Sequence, residues 1–184
     1  MSTSKKLTKH LDSHRVKYEL VPHKKVYTAL DVAATLRARL EEIAKSLVIK
    51  ADRTYYLLIL SANKNVNLAK LKKVLKAKQV MIPKETELVR AFKIKPGGLT
   101  GFGSMHQLPV VVDKAFEKIN RAIFSGGSLV ESIRMKVGDY IKLEEPIKHA
   151  FGEVKKIKPK AKKSKIKKIK QTKNKKSKSK KKKS

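Results

Sequence analysis

The chain has 184 residues, with 47 Lys or Arg against 15 Asp or Glu, a formal charge of +32. It has no cysteine, which excludes disulfides, thiolate metal sites, Fe–S clusters and a Cys nucleophile. No run approaches the roughly 20 apolar residues of a membrane span, and Met1–Lys6 lacks the apolar core of a signal peptide, so a cytoplasmic protein is expected.

The charge is uneven. Residues 155–184 hold 18 Lys and no acid, whereas residues 1–154 keep a net charge of +14. Apolar periodicity stops after Val154, and the rest is Lys with Ser, Pro, Ile and Ala. Such a segment has little to bury and strong self-repulsion, so residues 155–184 read as a disordered polybasic tail. Residues 1–154 are long enough to bury a core as one domain. The partner expected for this charge is a polyanion, nucleic acid first and an anionic membrane surface second.

In chain order, Leu7 and Leu11 at i, i+4 predict a short helix, and Val16–Val21 a strand. Ala29, Val32, Ala33, Leu36 and Leu40 form one apolar stripe, predicting a helix over Thr28–Leu40 with Thr28 and Asp31 as a capping pair. Ser46–Lys50 and Tyr55–Leu60 read as strands of a hairpin turning at Ala51–Thr54. Asn63–Asn67 punctuates, and Leu68, Leu71, Val74 and Leu75 mark a helix. Gln79–Ile82 reads as a strand, and a short helix follows from Pro83 to Val89. A glycine-rich loop spans Lys95–Met105. Leu108–Val112 is a strand ending at Asp113. Ile119–Phe124 and Glu131–Met135 are strands around Ser125–Ser128, and Gly138–Leu143 is a last helical turn. The pattern predicts one α/β domain.

Two features carry candidate chemistry. The loop from Pro96 to Ser104 places glycines at 97, 98, 101 and 103. Glycine permits positive φ and close backbone approach, so the loop's amides can hold a phosphate or a developing oxyanion. A plain flexible surface loop is the competing reading. The loop is neither a P-loop, since no Gly-Lys-Ser/Thr follows, nor a dinucleotide fingerprint. Lys45 lies between an apolar helix and an apolar strand. Partial burial there makes it a directed donor to a carbonyl or phosphate; a solvated lysine is the competing reading. The five histidines are scattered, and no set of three or four zinc ligands is evident. Ser125-Gly-Gly lacks a nucleophile-elbow context. No cofactor or metal is expected.

Seven stretches, in order, resemble the YbaK/ProX family of aminoacyl-tRNA deacylases, the prolyl-tRNA editing domain. They are Val26–Ala33, Ile43–Ile49, Tyr56–Ala62 with Leu68–Leu75, Pro96–Gly103, Leu108–Asp113, Phe124–Ser128 and Ser132–Met135. The resemblance implies a central mixed, barrel-like β-sheet surrounded by helices. It implies hydrolysis of the ester joining a wrong amino acid to the tRNA 3′ adenosine, with Ala or Cys on tRNA-Pro as the expected substrate. It gives catalytic roles to Lys45 and to the backbone at Gly98 and Gly101. It assigns substrate binding to Tyr27, Thr28, Ser46, Gly97, Phe102, Gly103, Ser125, Gly126 and Gly127. The family pattern has Pro where Gly101 stands here. A substrate hydroxyl is implied to aid the attacking water. Expected partners are mischarged tRNA and a prolyl-tRNA synthetase, with the chain itself a monomer. In the tail, Lys162, Lys163, Lys167, Lys168, Lys175, Lys176, Lys180 and Lys181 are expected to bind tRNA phosphates without reading sequence. Two other readings stay open: a non-catalytic RNA-binding or synthetase-associated module that kept the fold, and an unrelated function on a reused fold.

Overall fold

Residues 44–61 form the centre of the protein: strand β2 (Ala44–Ala51) turns through Asp52, at φ 52°, into strand β3 (Thr54–Ser61). These residues are rich in Leu, Ile, Val and Tyr, which suit a pleated, buried surface. The computed structural model describes residues 3–94 and 97–154; residues 155–184, with the eight tail lysines named above, lie outside them.

Before the hairpin come helix α1 (Thr3–Ser13), strand β1 (Tyr18–Pro22) and helix α2 (Ala29–Leu36). After it come strand β4 (Lys64–Val66), helix α3 (Leu68–Val74), strand β5 (Val80–Met81) and helix α4 (Glu85–Phe92). The chain then runs through strands β6 (Val110–Asp113), β7 (Arg121–Ser125) and β8 (Glu131–Lys136) and helix α5 (Val137–Glu144). Strands β9 (Ile147–His149) and β10 (Gly152–Val154) complete the described fold.

Among the described residues the strands form a five-stranded sheet β5-β2-β3-β6-β9, a three-stranded sheet β1-β8-β7 and the pair β10-β4. β3, β6 and β9 run parallel, whereas β2 is antiparallel to β3 and β5. A parallel bridge from Ile43 to Ile123 joins the two larger sheets, which curl around one core without closing. This is the mixed, barrel-like α/β domain that the resemblance implied. Leu57, Ile59, Val112, Phe102, Phe124 and Tyr140 fill the space between the sheets. On the outer face of the hairpin, Ile49, Leu58 and Leu60 pack with Leu71 of α3 and Phe151.

Three local differences from the sequence expectations have physical causes. Helix α2 stops at Leu36, not Leu40, because Arg37 takes a left-handed cap at φ 50° and returns its amide to Ala33 and Ala34. Leu40 begins a separate 3-10 turn. The Asn63–Asn67 stretch contains β4, which exists because the sequence-distant β10 pairs with it. β9 is a further strand, held parallel to β6. The expected capping box of Thr28 and Asp31 is present.

Candidate active site

Where the two sheets meet, the N-terminal half of β2, the start of α2, the glycine loop and the β7–β8 turn enclose a cavity of about 470 Å³. Of the residues that the resemblance singled out, Tyr27, Thr28, Lys45, Ser46, Gly97 and Ser125 line it. Apolar walls come from Val26, Val32, Ile43, Ala44, Ile123 and Leu129.

Side chains alternate along a strand, so Lys45 points to the face of β2 that carries Leu47 and Ile49, and Ser46 to the opposite face. The half-buried Lys45 ammonium donates to the backbone carbonyl of Lys64. Lys64 is itself pinned: its Nζ lies 2.6 Å from Asp113 Oδ1. Asp113 Oδ2 accepts the amides of Phe151 at 3.0 Å and Gly152 at 2.6 Å. Burial alone would raise the Asp113 pKa, but Lys64 and these two amides outweigh it and hold the carboxyl below its usual value. Phe151 and Gly152, at the start of β10, thus hold Asp113 of β6, which in turn pins the residue whose carbonyl receives Lys45.

The glycine loop is tied down and not a free surface loop. Thr100 bridges Gly126, the Gly101 amide donates to Ser125 O at 3.0 Å, and Ser125 Oγ donates to Leu99 O at 2.8 Å. The Thr100 amide donates to His106 Nε2 at 3.0 Å, and Tyr140 Oη donates to Gly101 O at 2.8 Å. Half-buried His106 is held below its ordinary pKa by desolvation, which suits the neutral acceptor this bond requires. Among the described residues, the amides of Gly98 and Leu99 meet no acceptor.

The glycines divide by role. Gly97 has φ 75°, and a Cβ there would meet Leu129 Cδ2 at 2.4 Å. Gly101 is buried behind the wall, where a Cβ would come within 3.1 Å of Phe124 and 3.5 Å of Ser46 Oγ. Gly103, Gly126 and Gly127 also lie behind the wall. A Cβ on Gly103 would run to 2.2 Å from Leu108 O, and Gly127, at φ 72°, packs on Thr3 and Thr100. Phe102 faces the core, with ring centroids 5.6 Å from Phe124 and 5.4 Å from Tyr140. Gly98 adjoins the cavity, between its lining neighbours Gly97 and Leu99.

Sequence reasoning missed His23 and Ser132, which also line the cavity. His23 Nδ1 lies 2.9 Å from the Lys24 carbonyl, and its Nε2 is 2.9 Å from Ser132 Oγ. The first contact requires a proton on Nδ1, so in the neutral ring Nε2 accepts from the serine. The only sequence signal was the position of His23 just before the Val26–Ala33 stretch. Ser46 Oγ is buried and has no hydrogen-bond partner among the described residues.

No carboxylate lines the cavity, and among the described residues no group of three or more His, Asp or Glu could hold a metal. Nor, among them, is any helix long and apolar enough to cross a membrane. The fold is an α/β domain with a cavity whose polar lining, among the described residues, is one lysine, a histidine and hydroxyls, with the Gly98 and Leu99 amides beside it. The family model of the aminoacyl-tRNA editing domain matches residues 23–143, and the chain belongs to that family, as its motifs indicated. The fold recurs in the crystal structure of the hypothetical protein APE2540, with TM-score 0.73 and 17% identity over 80% of this chain and 99% of that one. It recurs in a protein proposed to be a trans-editing enzyme for prolyl-tRNA synthetase, with TM-score 0.71 and 19% identity over 83% and 98% of the two chains. No curated protein matches the sequence at a significant level.

Proposed function

We propose that the chain is a freestanding trans-editing hydrolase that deacylates mischarged tRNA, with Ala or Cys on tRNA-Pro as substrate. The observation that carries this reading is Lys45, half-buried in the wall of the cavity of an aminoacyl-tRNA editing domain. The aminoacyl ester enters beside Lys45. Water attacks the ester carbonyl, and the charge developing on its oxygen is met by the free amides of Gly98 and Leu99. The C–O bond to the ribose then breaks, and the ribose oxygen takes up the proton released by the water. With no carboxylate base in the cavity, the neighbouring ribose hydroxyl orients the water. Lys45 positions the ester, and the apolar wall of Val26, Val32 and Ile43 receives a small side chain. Tyr27, 72% exposed at the mouth, meets the terminal nucleoside. The tail lysines hold tRNA phosphates, and a prolyl-tRNA synthetase is the expected source of mischarged tRNA.

The test is deacylation of a panel of mischarged tRNAs by wild type and Lys45→Ala. The variant is expected to lose at least about tenfold in rate, roughly 1.4 kcal/mol of transition-state stabilisation, with its fold retained. Wild-type rates from folded Lys45→Ala refute the role of Lys45. A second reading, an RNA-binding module without turnover, draws on Gly101, which stands where the family pattern has Pro and removes the fixed φ that would stiffen the loop. Tight tRNA binding with no deacylation of any substrate selects it.

A further inference from the structure

Residues 62–84 contain seven Lys and no acid. Two of these lysines are neutralised within the fold: Lys64 by Asp113, and Lys70 by Glu153 at 3.2 Å. Lys72, Lys73, Lys76 and Lys78 are exposed on and just after α3. The nearby acid is Asp52, whose carboxylate accepts the amides of Lys78 and Gln79. Val154, the last described residue, pairs with Lys64 at the start of this stretch. Like charges gathered on one face repel unless a polyanion covers them.

Position supports the same conclusion. Leu71 of α3 packs on Ile49 and Leu47, the face of β2 to which Lys45 also points. From Lys45 to the hairpin turn is six residues, about 20 Å at the rise of a strand. α3 begins beside β4, near Lys45, and is followed by Lys78 and Gln79 at Asp52, the far end of the hairpin. The lysines therefore form a track that starts by the cavity and runs along the domain.

We infer that this α3 track is a phosphate-binding surface for the RNA stem whose 3′ end enters the cavity; it rests on the proposed function for that occupant. An anionic membrane fits less well. The large apolar residues Leu68 and Leu71 of α3, and Leu75 at its C-cap, pack into the protein, and the exposed face of the helix carries mainly lysine, which suits phosphate more than lipid.

The experiment uses the full chain with Lys72, Lys73 and Lys76 each changed to Gln, and uncharged tRNA as the probe, so it reads binding whether or not the protein deacylates. The slope of log K against log salt is expected to shrink by about 2 to 3, since each lost phosphate contact contributes about 0.7 to 0.9. The control changes Lys17, Lys136 and Lys142 to Gln; these lie at the end of the β1–β8–β7 sheet remote from the cavity and should leave the slope unchanged. An unchanged slope in the α3 variant overturns the inference. An equal fall in the control also overturns it, because binding would then be spread over the whole basic surface. So does loss of binding to phosphatidylserine vesicles with tRNA binding intact.

Discussion

Removing Asp113 tests whether the ion pair behind Lys45 is a structural pin. The Asp113 side chain is 2% exposed and that of Lys64 16%. Asp113→Ala leaves the Lys64 ammonium without its counter-charge and the amides of Phe151 and Gly152 without their acceptor. Breaking one side of a buried pair costs about 3–5 kcal/mol. Lys64 can relax toward water, so the lower end, about 3 kcal/mol, is expected. At about 2–4 °C per kcal/mol for a domain of this size, Tm should fall by about 6–12 °C. Circular dichroism melts of wild type, Asp113→Ala, Lys64→Met and the double variant form the assay. The pair should show a coupling energy of at least about 1 kcal/mol, the double variant losing less than the sum of the singles. The carboxyl titrates below its usual value in the fold, so its contribution is fully present above about pH 4 and is lost as pH falls through the lowered folded value. A Tm within about 2 °C of wild type for Asp113→Ala, or strictly additive losses, refutes the pin.

Gly101→Pro removes the amide that donates to Ser125 O and should cost about 1–3 kcal/mol in stability, read by thermal unfolding. A rise in both Tm and deacylation would show instead that the loop accepts the proline geometry of the family pattern. His106 must stay neutral to accept the Thr100 amide. Its folded pKa is lowered, so its stabilisation is complete above about pH 6.5 and is lost as pH falls through the folded value. His106→Gln, which offers a non-titrating oxygen, should flatten the pH profile of Tm below pH 6.5; an unaltered profile excludes His106 as its source. Deleting residues 155–184 should raise KM for tRNA and shrink its salt slope by roughly 4 to 5 if about six lysines engage at once. Equal slopes for full-length and truncated protein remove the tail from binding.

The sequence by itself determined the elements whose signals are local. Thr28 and Asp31 capped α2 because a capping box needs only four consecutive residues. The β2–β3 hairpin was legible because the apolar run Leu47-Val48-Ile49 and the Tyr-, Leu- and Ile-rich β3 flank a short turn. Lys45 was legible through its motif, and its register on β2 then followed from alternation. Tertiary structure alone decided what depends on distant partners. β4 is three residues of Lys, Asn and Val that become a strand because β10 lies beside them. His23 reaches Ser132 because β1 pairs with β8, more than a hundred residues away. The four glycines look alike in sequence, yet Gly97 lines the cavity, the Gly98 amide meets no acceptor among the described residues, Gly101 spends its amide on Ser125 and Gly103 abuts Leu108. Composition records that a residue lacks a Cβ; only the surrounding chain determines whether that space admits a substrate or another strand.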